Sequence, residues 1–146
     1  MRKLLIVEDD PFHLAMMKQA FMKHWAGQVD IHSKTNQKQF VSSFKRTGLE
    51  KFDLVIIDQM LPWTSADDEA DDADYPPEGP LRAGTECFKK LQSNANTKTV
   101  PVVFFTNLEE ATVPNGVKYV RKGDDVEMTE LLAAADLLLK DTQQVD

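Results

Sequence analysis

Residues 52–62, FDLVIIDQMLP, constrain this chain more than any other stretch. Leu54, Val55, Ile56 and Ile57 are consecutive and apolar, and they run straight into one carboxylate, Asp58. A short β-branched run without polar alternation suits a strand covered on both faces, as in a parallel sheet with helices on either side. Asp58 then stands at the strand's carboxyl end, the edge at which open α/β sheets bind their ligands.

The rest of the chain supplies neighbours for that strand. Residues 3–7 (KLLIV) read as a first buried strand, followed by Glu8, Asp9 and Asp10. Asp10 before Pro11 marks a helix start, with the acid as cap and proline at the first helical position. Leu14, Met17, Phe21 and Trp25 recur at helical spacing, so this helix runs to about His24 or Trp25 and Gly27 ends it. Residues 29–32 (VDIH) form a second strand. Thr35 or Asn36 caps a helix with Phe40, Val41 and Phe44 on its apolar face and Gly48 at its close. Helical spacing resumes at Cys87, Phe88 and Leu91, and residues 100–105 (VPVVFF) give a fourth strand ending at Thr106. Residues 117–120 (VKYV) give a fifth, followed by Arg121, Lys122 and Gly123. The last helix is expected to start at Asp124 or Asp125, with Glu127 completing a capping box, and to bury Val126, Met128, Leu131, Leu132, Ala135, Leu138 and Leu139. Strands alternating with helices are the pattern of a doubly wound parallel α/β sheet.

Length favours one domain, residues 1–146, with a single core. The one cysteine, Cys87, excludes an intramolecular disulfide, sits on an apolar helical stripe and points to a reducing cytoplasm. No stretch approaches the roughly 20 apolar residues of a membrane helix, and the N-terminal apolar run is too short for a signal peptide. The net charge of -7 argues against direct nucleic-acid binding. Its distribution is uneven: Asp67, Asp68, Glu69, Asp71, Asp72, Asp74 and Glu78 equal the whole net charge. Residues 63–83, rich in Asp, Ala and Pro, read as an irregular acidic loop insertion. His13, His24 and His32 show no ligand spacing and read as surface or helix-end residues.

If all five strands are parallel, one rim collects Glu8 and Asp9 from the first, Asp58 from the third, Thr106 from the fourth and Lys122 from the fifth. Three carboxylates together repel one another unless a cation sits among them. An oxygen-only set points to magnesium. Lys122 and Thr106 supply a point charge and a hydroxyl donor for phosphoryl oxygens.

Glu8-Asp9 after LLIV, Asp58 in LVIIDQMLP, Thr106 after VVFF and Lys122 in KYVRKG, in this order at matching strand ends, resemble a response-regulator receiver domain over nearly the whole chain. The resemblance implies a flavodoxin-like sheet of order 2-1-3-4-5. It implies that Asp58 is the phosphoacceptor, that Asp9, Asp58 and the backbone carbonyl of Met60 bind Mg2+ with Glu8 acting mainly through water, and that Thr106 and Tyr119 form a switch. It also implies a histidine kinase or histidine phosphotransfer protein as donor, a downstream protein target, and a signalling phosphoacceptor rather than an enzyme with turnover. Two departures stand out. The acidic insertion separates Leu61-Pro62 from Gly84, and it reads first as solubilising, with screening of the pocket, choice of a basic partner and weak divalent binding left open. The connection from Thr106 to Lys122 is short, and with Pro114-Asn115-Gly116 inside it a helix there cannot extend past Ala111. Two other functions compete: a haloacid-dehalogenase-type phosphatase, which wants a second Asp where this chain has Met60, and a receiver-like scaffold that is never phosphorylated.

Overall fold

The apolar runs become the strands of one sheet. The computed structural model describes residues 1–46, 51–64, 79–123 and 127–143, the side chains of 44–46 and 141–143 excepted. β1 (Arg2–Val7), β2 (Val29–Lys34), β3 (Leu54–Ile57), β4 (Val102–Thr106) and β5 (Lys118–Arg121) pair in parallel throughout, in the order β2-β1-β3-β4-β5. This is the flavodoxin-like order that the resemblance implied. The two-residue period of a strand divides its side chains between two cores. Leu4, Ile6, Leu54, Ile56, Val103 and Phe105 pack with α1 (Pro11–His24) and α4 (Thr129–Gln143). Leu5, Val7, Val55, Ile57, Val102 and Phe104 pack with α2 (Gln37–Arg46) and α3 (Ala83–Ser93). The sheet is thus buried on both faces, which explains why its central strands carry no polar alternation. Among the described residues no helix is long and apolar enough to cross a membrane.

The helix starts follow their local chemistry. The Asp10 carboxylate accepts from the backbone N–H groups of Phe12 and His13 at 2.8 and 3.3 Å, and these bonds, His13's first, hold its carboxyl below the ordinary range. Gly27, at φ +77°, closes α1 by donating to the Met22 carbonyl at 2.8 Å. For α2 the cap is Asn36, whose Oδ1 accepts from Gln39 N–H at 2.8 Å. The first amides of α2 are met from elsewhere: Gln37 and Lys38 donate to the carbonyls of Pro62 and Trp63 at 3.0 and 2.9 Å. The chain leaving β3 is therefore stitched to α2. Phe40 is buried in the α2–α3 core, whereas the Phe44 side chain and Gly48 lie outside the described residues. Cys87 is buried as expected, and burial, with the Glu86 carboxylate next, pushes its thiol pKa up and keeps it neutral.

Three elements differ from their expected form. The 63–83 stretch is not irregular at its far end: Gly79, at φ +73°, turns the chain into a 3-10 turn, Pro80–Arg82, and α3 starts at Ala83. Proline suits the first position of a helical turn, so Pro80 opens this one instead of breaking it. Between β4 and β5 the described chain forms only a 3-10 turn, Glu110–Thr112, because Pro114 and the positive φ of Gly116 stop propagation. The last helix starts at Thr129 and not at Asp124 or Asp125. Glu127 lies in a turn, and Met128, at φ +56°, supplies the first helical acceptor, receiving Leu132 N–H at 3.0 Å. Asp124, Asp125 and Val126 lie outside the described residues.

Candidate active site

Each strand exit is fastened to its neighbour's, and this aligns the site. Glu8 N–H donates to Lys34 O, Asp58 N–H to Val7 O and Lys122 N–H to Thr106 O, each at 3.0 Å. Glu8, Asp58, Thr106 and Lys122 consequently share the carboxyl rim of the sheet, and all four are buried, while Asp9 is exposed at the same rim. The Lys122 ammonium donates to Asp58 Oδ2 at 2.6 Å and to Glu8 Oε1. Glu8 Oε2 accepts from Asp9 N–H at 3.0 Å, and Asp58 Oδ1 from Met60 N–H at 3.2 Å. Carboxylate oxygens of Glu8, Asp9 and Asp58 lie within 4.8 Å of one another.

One ammonium thus faces three carboxylates, two of them buried. Burial raises the Glu8 pKa to about 8; Lys122 opposes the shift and Asp58 adds to it. For Lys122 burial acts downward, but the attraction of Asp58 and Glu8 outweighs it and the pKa rises. The rim is therefore short of positive charge, and its donors are all hard oxygens. That donor set fits a divalent cation of the magnesium type.

Beside the acids, Thr106 Oγ1 accepts from Leu108 N–H at 3.3 Å, and the Tyr119 hydroxyl donates to the Leu108 carbonyl at 2.7 Å. Thr106 and Tyr119 thus hold the two sides of one residue. His13, which showed no ligand spacing, reaches the edge of the site, with Nδ1 3.7 Å from Glu8 Oε1. His24 and Trp25 meet Asp136 of α4 at 2.6 and 3.1 Å, and these bonds lower the Asp136 pKa although burial opposes them.

Sequence reasoning missed two residues, Gln59 and Thr85. The Gln59 amide is fully buried and bonds to Thr85 and to the Thr112 carbonyl, 26 and 53 positions along the chain. No spacing rule reaches partners that far apart. The available signal was an uncharged polar residue directly after the strand-end acid, a position where solvent alone would ask for nothing specific. Gly84, in contrast, was noted, and its reason is now physical. A Cβ there would come within 2.5 Å of the Asp58 carbonyl oxygen and 2.7 Å of Gln59 Cα, so the first turn of α3 lies directly against the backbone that carries Asp58.

No family model and no curated protein matches the chain, but solved structures do. A signal receiver domain from Clostridium thermocellum superposes with a TM-score of 0.71 at 21% identity, covering 95% of this chain and 98% of that one. The receiver domain of a sensor histidine kinase from Pseudomonas aeruginosa, with a magnesium ion coordinated in its active-site cleft, gives 0.63 at 16% identity, with 95% and 98% covered. A response regulator from Thermotoga maritima in complex with Mg2+ and BeF gives 0.63 at 18%, with 94% and 99% covered. Likeness at this identity speaks to architecture, and the architecture of this chain is that of a response-regulator receiver domain.

Proposed function

We propose that the chain is a phosphoacceptor response regulator whose Asp58 takes a phosphoryl group from a phosphohistidine on a histidine kinase or histidine phosphotransfer protein. The observation that carries this reading is the Lys122 ammonium donating to both Asp58 and Glu8 on a rim that also holds Asp9 and Thr106. In the transfer, an Asp58 carboxylate oxygen attacks phosphorus in line, the P–N bond to the imidazole breaks, and the imidazole leaves with the electron pair. Lys122 offsets the charge on the phosphoryl oxygens, as positioned cations do in other phosphoryl transfers. Thr106 Oγ1 already accepts from Leu108 N–H, so its O–H remains to donate to a phosphoryl oxygen. Met60 N–H keeps the second Asp58 oxygen oriented. Mg2+, held by Asp9, Asp58 and the Met60 backbone carbonyl with Glu8 acting through water, would supply further charge compensation at the same oxygens. When Thr106 turns toward the phosphoryl group it pulls on Leu108 through the N–H it accepts, and Tyr119, bonded to the other side of Leu108, is the aromatic placed to respond. A downstream protein target reads that change.

The test is incubation with phosphoramidate and Mg2+ followed by intact-mass measurement. We expect a single phosphoryl adduct on the wild-type chain and none on Asp58→Asn. Catalytic turnover of generic phosphate esters would move the assignment to a phosphatase, and absence of both would leave a binding scaffold.

A further inference from the structure

Gln59 follows the proposed phosphoacceptor directly, and both polar ends of its side chain are engaged inside the fold. Nε2 donates to Thr85 Oγ1 at 2.7 Å and to the Thr112 carbonyl at 2.6 Å, while Oε1 accepts from Thr85 N–H at 2.7 Å. Its backbone carbonyl accepts from Gly84 N–H at 3.0 Å. One side chain therefore joins the Asp58 main chain to the first turn of α3 and to the Glu110–Thr112 turn. A buried amide left without partners is strongly unfavourable. Residue 59 thus cannot shift without either breaking these bonds or taking their partners with it.

The two partners differ in how they can respond. On the α3 side, the close approach at Gly84 leaves the Asp58–Gln59 backbone no room to move toward the helix. On the other side, Glu109, Glu110, Ala111 and Thr112 are exposed, and the turn is held mainly by local bonds: Thr112 N–H to Glu109 O at 2.9 Å, Val113 N–H to Glu110 O at 3.1 Å and Thr112 Oγ1 to Glu109 O at 2.6 Å. No α-helix stiffens this connection. The turn is the compliant end of the linkage, and it forms one wall of a cavity of about 470 Å³ whose opposite wall is α3, with Phe88 and Lys89 among its lining residues.

We infer that Gln59 is a positioning residue that transmits the state of Asp58 to residues 110–113. This rests on the phosphoacceptor reading. When the Asp58 carboxylate becomes an acyl phosphate, the backbone at 58–59 adjusts, the Gln59 amide moves with it, and the Thr112 carbonyl follows.

The experiment uses the full chain, phosphoramidate and Mg2+, with intact mass to count the adduct and amide hydrogen exchange and chemical shifts to follow residues 108–114. In the wild type we expect the adduct to come with shifted signals at residues 110–113 and a change of about tenfold or more in exchange at Thr112 and Val113. Gln59→Met keeps the length of the side chain and removes its bonds; once the adduct is on, it should show less than about a third of that response. A merely structural role would lower its melting temperature and leave the phosphorylation-dependent response intact. An equal response in Gln59→Met overturns the inference. So does a wild-type adduct with no change at residues 110–113, a result that stands even if the variant does not fold. A wild type that takes no adduct removes the phosphoacceptor reading itself, a separate and recognisable failure.

Discussion

Lys122 is the residue on which the rim balances. It is buried, and its ammonium is shared between Glu8 and Asp58, so truncating it leaves the buried Asp58 carboxylate without a counter-charge beside the Glu8 carboxyl. Breaking a buried ion pair from one side costs about 3–5 kcal/mol. Lys122→Ala should therefore lower stability by that order in urea unfolding, and added Mg2+ should recover part of the loss by entering the same acids. Glu8 gives the pH dependence. Its folded pKa of about 8 lies above the ordinary 4.5, so the folded state binds the proton more tightly than the unfolded chain does. That contribution is complete below about pH 4.5 and is lost as pH rises through about 8. In metal-free buffer the urea midpoint should fall across this window, and Glu8→Gln should flatten the fall.

At the scale of elements, the first turn of α3 lies directly against the end of β3. Gly84→Ala puts a methyl group against the Asp58 carbonyl, and neither backbone can yield without moving the phosphoacceptor. Overpacking of this kind costs about 1–3 kcal/mol. We expect a lower melting temperature together with slower uptake from phosphoramidate, whereas Ala at an exposed position of the same helix, such as Lys89, should change neither. The strands and most helix starts were legible in the chain because their causes are local: apolar runs bounded by acids, Asp10 before Pro11, a glycine after Trp25. The five rim positions were legible for a related reason, since a parallel sheet turns every strand end into a shared edge. The misplaced start of α4 had a cause that is not local. Asp124 and Glu127 spell a capping box, but Met128 adopts a positive φ while its side chain is buried, and a tertiary contact of that kind leaves no pattern in neighbouring residues. Gln59 was hidden because its partners are Thr85 and Thr112, which only the folded chain brings together.

For the whole molecule, the acidic excursion is the largest anomaly. Its two flanks are already fastened: Leu61 N–H donates to Pro80 O at 3.1 Å, and Gly84 N–H to Gln59 O at 3.0 Å. The chain on either side of residues 65–78 is thus brought together by bonds that need nothing from the segment itself. Replacing residues 65–78 with a short Gly/Ser linker should leave far-UV circular dichroism and phosphoryl uptake unchanged. It removes all seven of the acids that account for the net charge of -7, so the isoelectric point should rise from about 4.9 to near neutrality, readable by isoelectric focusing. A loss of folding on this replacement would show that the segment contributes to the core. The burial of Cys87 has a practical corollary for all of these measurements. With the sole native thiol shut inside and uncharged, a maleimide dye attached to a cysteine introduced at Ala111 would meet almost no background labelling, so the motion of a single surface turn could be watched in real time on an otherwise unaltered protein.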